Sequence, residues 1–194
     1  YLCSHLCEVP EVLKEEKWIP LFVKDTGGAY LRVSAESHIT RLNMPQEGNQ
    51  KWGASRVHKS RVNSLPQMLQ EAWYALWAGF SYSGSEKVGE IQFYLCKNMN
   101  EEFSLKSVAE KYHFSEPYFC TLFKKGTGMS VIHFVQHVRV HYGTYLIRNS
   151  EKKLQEIAEE VGFENYSYFG KLFKRYVGQT PEAYREGSEG KLGI

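Results

Sequence analysis

Residues 109–125 read AEKYHFSEPYFCTLFKK, and the chain that follows repeats their pattern. Val108-Ala109-Glu110 returns as Ile157-Ala158-Glu159 and Phe114 as Phe163, both at an offset of 49. Tyr118-Phe119 returns as Tyr168-Phe169, Leu122-Phe123-Lys124-Lys125 as Leu172-Phe173-Lys174-Arg175, and Gly128 as Gly178, now at an offset of 50. The extra residue falls where Ser115-Glu116-Pro117 faces Glu164-Asn165-Tyr166-Ser167. A period near fifty with matched apolar, aromatic and basic positions means one supersecondary unit used twice.

Each copy reads as a helix-turn-helix. In the first, Ser104 opens a short helix carrying Leu105, Val108, Ala109 and Tyr112. Ser115 then caps a second helix over 116–125, which Thr127-Gly128 ends. The second copy places helices at about 154–161 and 165–176, with a last one near 181–186. Between the copies, residues 130–148 carry Val131, Phe134, Val135, Val138, Tyr142, Tyr145 and Leu146, expected on one side of a long connector helix. Its ~19 residues span about 28 Å, close to the roughly 34 Å between major-groove entries one duplex turn apart. Val88, Ile91, Leu95 and Met99 add a preceding helix over 86–99.

Helical geometry sorts the two reading helices into faces. Phe119, Leu122 and Phe123 face the first core, leaving Glu116, Pro117, Cys120, Thr121 and Lys124 outward. Tyr168, Phe169, Leu172 and Phe173 form the apolar side of the second, with Tyr168 expected partly exposed, and Asn165, Tyr166, Ser167, Gly170, Lys171 and Lys174 point outward. Lys124, Lys125, Lys174, Arg175 and Arg148 are candidates for phosphate contact, which positions a protein without specifying sequence. A lone basic helix face reads first as solvated surface. Repetition of the basic positions in both copies favours a binding role.

Composition bounds the rest. A hydrophobic share of 42% and an aromatic share of 14% supply real cores, which excludes wholesale disorder. The net charge of +2 neither requires nor excludes nucleic acid, so any basic surface depends on placement. Cys3, Cys7, Cys96 and Cys120 lack the spacing of a disulfide or four-ligand zinc framework and read as reduced thiols. His133, His137 and His141 recur every four residues, with His113 in the first turn, but a single ion would find that stripe wide; packed or solvent-facing histidines are expected. No metal, cofactor, membrane span or signal segment is expected. The chain begins at Tyr1 in an already patterned stretch and is expected to be a fragment or a processed form.

The N-terminal part reads as a partial α+β domain over 1–80, ending in a Ser/Gly-rich linker over 81–87. Leu2, Leu6, Val9, Val12 and Leu13 predict a helix over 1–17, marred by Pro10. Residues 19–24 and 30–33 predict a hairpin across Asp25-Thr26-Gly27-Gly28; a phosphate loop would need a Lys-Ser/Thr ending and a following helix. A short helix over 35–43, a loop over 44–50 and a strand over 51–57 follow. Ser64 and Gln67 form a capping-box pattern for a helix to about Ala78, with Leu65, Leu69, Ala72, Trp73, Leu76 and Phe80 on its apolar face.

Trp52-Gly53-Ala54-Ser55-Arg56-Val57, Leu65-Pro66-Gln67 and Glu71-Ala72-Trp73-Tyr74-Ala75-Leu76 resemble the end of the central region of YesN-type response regulators, a degenerate cyclase-like domain. The acidic metal motif of an active cyclase is missing from this stretch. A second resemblance covers about 86–187. Ile157-Ala158, Val161-Gly162-Phe163, Tyr168-Phe169, Phe173-Lys174, Gly178, Thr180-Pro181 and Tyr184-Arg185 are similar to the signature of the AraC-type DNA-binding domain, with Arg139 at its connector arginine. Gly143 departs from that pattern, where Ala is usual, at ~1 kcal/mol of helix propensity.

The resemblance implies a mostly α C-terminal domain over 88–187, two helix-turn-helix units on a long connector, with a tail over 188–194. It implies a cytoplasmic, non-enzymatic transcription regulator that reads two adjacent major grooves of double-stranded DNA. Pro117, Cys120 and Thr121 fall at its base-edge positions, weak hydrogen-bonders suited to thymine methyls. Ser167 and Lys171 fall at those of the second copy, where a lysine can reach guanine O6 and N7. RNA polymerase, a sensor kinase acting through a receiver domain this sequence lacks, and a second copy of the chain are the further partners implied. The alternatives are an effector-binding AraC-type regulator, and a nucleotide-binding or signalling module in 1–80. A DNA-alkyl-repair fusion would need four clustered cysteines, which the spacing rules out.

Overall fold

The computed structural model describes residues 2–4, 19–23, 27–31, 51–53, 56 and 65–189. The chain divides into two units, Tyr1–Gly84 and Ser85–Ile194.

In the first unit β1 (Leu2–Ser4), β2 (Ile19–Val23), β3 (Gly27–Leu31) and β4 (Lys51–Gly53) form an antiparallel sheet of order β2-β3-β1-β4. The helix expected over 1–17 fails at its start. Leu2-Cys3-Ser4 is a strand between two neighbours, with Leu2 opposite both Leu31 and Gly53. Three residues cannot settle helix against strand by spacing, and pairing on both edges overrides local preference. The expected turn also shifts. Gly27 and Gly28 stand in the ladder opposite Val23 and Phe22, so the glycine pair is strand rather than loop. Of the strand expected over 51–57, Lys51–Gly53 is strand and Arg56 is not; the other positions lie outside the described residues. The remainder of the expected N-terminal helix, the helix over 35–43, the loop over 44–50 and the Ser64 cap lie outside the described residues.

Helix α1 (Leu65–Ala78) lies against β4 and β1 and buries Ala72, Ala75, Leu76 and Ala78. It also buries Glu71 completely. That carboxylate takes the Arg56 backbone N–H at 2.9 Å and the guanidinium Nε and Nη2 at 3.0 and 2.7 Å, and Gln67 Nε2 at 3.0 Å. A buried carboxylate is tolerable only with such a set of donors.

The second unit is helical: α2 (Glu86–Lys97), α3 (Leu105–Lys111), α4 (Glu116–Thr127), α5 (Val131–Asn149), α6 (Leu154–Glu160), α7 (Tyr166–Val177) and α8 (Pro181–Glu189). The expected helix-turn-helix pair and connector are present. Side-chain caps start several helices: Ser104 accepts from the Ser107 N–H, Ser130 from His133 and Asn165 from Tyr168. Gly128 and Gly178 close α4 and α7 in left-handed conformations with φ of 79° and 88°.

Two cores sit on α5, and they do not share one side of it. Val131, Phe134, Val135 and Val138 are buried with Ile91, Leu95, Phe119 and Phe123; Val140, Gly143, Leu146 and Ile147 are buried in the second half, where Phe163, Phe169, Leu172 and Phe173 pack. At 100° per residue, positions 140 and 143 lie roughly 120–180° round the helix from 131 and 138. The expected single stripe is thus two half-length stripes. Tyr142 and Tyr145, expected on that stripe, are half-buried against the second core. The last helix closes this core: Tyr184 meets Phe173 edge-on at 5.5 Å, Arg148 lies over the Tyr184 ring, and Arg185 Nη2 donates to the Lys152 carbonyl at 2.7 Å. No helix among the described residues is long and apolar enough to cross a membrane.

Candidate nucleic-acid interface

The turn between the two helices of each reader is built the same way. His113 N–H bonds the Glu110 carbonyl at 3.0 Å and Phe114 N–H the Ala109 carbonyl at 2.9 Å; Gly162 and Phe163 repeat this on Glu159 and Ala158 at 2.9 and 2.8 Å. His113 and Gly162 both take positive φ, 59° and 89°. The following apolar side chain then turns inward: Phe163 packs on Phe169, and Phe169 on Phe173, at 5.4 Å each. These rings hold α7 by its inner face, and Phe119 and Phe123, with Phe123 edge-on to Phe134, hold α4 in the same way, so the opposite faces stand in solvent.

Glu116, Pro117, Cys120, Thr121, Lys124 and Lys125 are all exposed along α4, as are Ser167, Lys171, Lys174 and Arg175 along α7, with Asn165 exposed at its N-cap. Lys124 and Lys125 fall in the last turn of α4, Lys174 and Arg175 in that of α7. Among the described residues none of Lys124, Lys125, Lys171 and Lys174 enters an ion pair. Thr121 donates its hydroxyl to the Pro117 carbonyl at 3.0 Å, so it presents its methyl and oxygen lone pairs outward. Two expected contacts are engaged elsewhere. Tyr166 is half-buried and donates its hydroxyl to the Glu182 carboxylate, and Arg148 is occupied over Tyr184.

Burial raises the Tyr166 phenol, with help from the Glu182 hydrogen bond, to about 12, while the same bond lowers Glu182. His137 and His141 are half-buried with ring centroids 4.3 Å apart, and His137 packs edge-on against Tyr176 at 5.7 Å. Cys96 is buried in the first core and its thiol is pushed well up by desolvation.

Sequence reasoning left Tyr118 unassigned. It is 55% exposed on α4, and Tyr168, its counterpart on α7, is 48% exposed. Tyr118 leans on Phe114 at 5.2 Å, and Tyr168 accepts a hydrogen bond from Gln136 Nε2 at 2.8 Å. The signal was there: two tyrosines 50 residues apart beside phenylalanines that already fill the cores. The work done by Arg139 was also unread. Its Nε donates to the Met99 carbonyl at 2.7 Å, Nη2 to Glu101 at 2.6 Å and Nη1 to Gly162 at 2.6 Å. Burial lowers its pKa from the ordinary arginine value.

Two matched helix-turn-helix units on one connector, each exposing a polar helix face that ends in basic residues, define a two-headed DNA-reading domain. A family model described as a helix-turn-helix domain matches residues 108–187. The solved C-terminal domain of AraT, a response regulator from Geobacillus stearothermophilus, is 32% identical, with 53% of this chain and 86% of that one covered and a TM-score of 0.51. The C-terminal domain of the two-component response regulator YesN from Fusobacterium nucleatum is 33% identical over 52% of this chain and 99% of that one, with a TM-score of 0.50. The chain belongs to the AraC-type helix-turn-helix family. The bifunctional transcriptional activator/DNA repair enzyme AdaA of Bacillus subtilis is 37% identical over 105 residues, 54% of this chain. The chain spans 50% of that relative's length.

Proposed function

We propose that the chain is the DNA-binding output part of a cytoplasmic transcription regulator, without catalysis of its own, whose α4 and α7 enter two successive major grooves of one duplex. The observation that carries this is the pair of identical turns presenting two exposed, base-ended helices from a single connector. Pro117, Cys120 and Thr121 read base edges in the first groove by shape and methyl contact, Ser167 and Lys171 in the second by hydrogen bonds. Glu116 and Asn165 stand at the helix entrances, and Lys124, Lys125, Lys174 and Arg175 hold phosphates.

Similarity to the AraT and YesN C-terminal domains, both from response regulators, supports an output role in a two-component system. On this reading a sensor kinase acts through a receiver domain, and RNA polymerase and a second copy of the chain are further partners. The division into units supports a boundary at the Ser/Gly-rich segment, with a partial signalling domain before it and the DNA-binding domain after it. Selection from random-sequence duplex tests the core of the reading. Enrichment of a two-part site of about 16–20 bp is expected; no enrichment, or enrichment of one short half-site alone, sinks it.

A further inference from the structure

We infer that Arg139 sets the distance between the two half-sites this protein accepts, by joining the two reading units directly to each other; the inference rests on the DNA-reading function proposed above. Met99 and Glu101 lie between α2 and α3, in the first reading unit, and Gly162 lies in the α6–α7 turn of the second reading unit. One guanidinium bonds all three carbonyls, across sequence separations of 40, 38 and 23 residues. Its planar fork of donors suits this task, and a lysine ammonium does not reproduce it.

The contact is tight from the other side as well. A Cβ on Gly162 would stand 2.8 Å from the Arg139 Cζ and 2.9 Å from the Met99 carbonyl oxygen. The second turn therefore abuts both the arginine and the Met99 backbone of the first reading unit, and the absent side chain makes room for this. The guanidinium carbon also lies 5.7 Å over the Phe163 ring, the residue that turns inward to seat α7. Arg139 stands where the buried stripe of α5 changes sides, between Val138 of the first core and Val140 of the second. Without this bridge, α5 would hold the two units by separate faces, and small rotations at each would change the offset between α4 and α7.

The experiment compares the full chain with Arg139→Met, which keeps the stem and removes the donors, and with Arg139→Lys. Duplexes carry the selected half-sites at the natural spacing, at spacings changed by one and two base pairs, and singly. The wild-type chain is expected to bind sharply best at one spacing. Arg139→Met is expected to lose about tenfold or more there, because the second contact is no longer pre-positioned, while single half-sites change by less than about twofold and the spacing profile flattens. Arg139→Lys is expected to follow Arg139→Met. An equal loss at every spacing and on single half-sites means a merely structural role and overturns the inference, as does an unchanged profile. Pulsed electron-spin distance measurement between bio-orthogonal labels at Lys125 and Arg175 serves as a second readout without DNA. A broader distance distribution in either variant is expected. An unchanged width overturns the inference even if the wild-type chain binds no DNA, an outcome that would overturn the functional reading instead.

Discussion

His113 and Gly162 occupy the same step of the two turns, yet only one of them is glycine. Positive φ disfavours any side chain, by about 1–2 kcal/mol, but the first turn has room: His113 is exposed. At Gly162 an added Cβ meets a guanidinium and a backbone carbonyl. Gly162→Ala is expected to destabilise the chain by about 2–4 kcal/mol, adding overpacking to backbone strain, while His113→Gly stabilises it by up to ~1 kcal/mol. Chemical denaturation of both variants checks the contrast, and equal effects would refute it. The lysines of α7 separate in another way. Lys171→Ala is expected to relax preference at one base pair, at about 1–3 kcal/mol of discrimination, whereas Lys174→Ala weakens all sequences and lowers the salt slope. Binding to a panel of single-base operator variants at two salt concentrations distinguishes them. The exposure of these lysines was legible in the sequence because helical period alone sorts faces. The role of Arg139 was not, because its bonds end on backbone carbonyls up to 40 residues away, which leave no side-chain pattern to read.

Within α5 the period was readable but its phase was not. Val131 to Val138 announce a stripe that Tyr142, Tyr145 and Leu146 extend in sequence, and Leu146 is buried in the second core, yet the second reading unit also packs on Val140, Gly143 and Ile147 from another side. Aromatic residues with polar tips are easily placed in a core from which half of each protrudes. At the N-terminus the three residues of β1 failed for a different cause: their partners are β3 and β4, not their own neighbours. Gly143 gains a reason from the structure. A Cβ there would lie 3.1 Å from two carbons of the fully buried Phe169 ring. Gly143→Ala is therefore expected to bring no net stabilisation: the ~1 kcal/mol of helix propensity is offset by crowding a ring already held among Phe163, Tyr166 and Phe173. A clear rise in thermal midpoint would contradict this. The α7–α8 contact adds a pH signature. Tyr166 titrates higher in the folded state than in the unfolded one, so its contribution is complete below about pH 10 and lost as pH rises toward about 12. Glu182 titrates lower when folded, so its contribution is complete above about 4.5 and lost as pH falls through its depressed value. Tyr166→Phe is expected to lower stability between these limits, with a difference from wild type that shrinks as pH falls toward 3 and as it rises from about 10 toward about 12, which chemical denaturation across that range measures directly.

For the whole molecule, the balance of charge says less than its placement. The net charge is only +2, but α7 carries Lys171, Lys174 and Arg175 with no acidic residue, and α4 carries Lys124 and Lys125 against Glu116. Other acidic side chains lie on other helices and near basic partners there, as with Glu160 paired to Lys152 and Glu110 near Lys106. A phosphate contact releases counterions in proportion to its own charge, whatever the net charge of the protein, so the salt dependence reports the local count. The four basic groups placed at phosphates, Lys124, Lys125, Lys174 and Arg175, correspond to a slope of log affinity against log salt of about −3.6 in duplex DNA. The two helices share it evenly: about −1.8 from Lys174 and Arg175 of α7 and about −1.8 from Lys124 and Lys125 of α4. Duplexes carrying either half-site alone are therefore expected to show about half the combined slope. Titrations from 50 to 200 mM salt measure both. A combined slope near −2, the value that the net charge alone would indicate, would show that α4 and α7 do not meet the phosphate backbone together and that the two-groove docking is wrong.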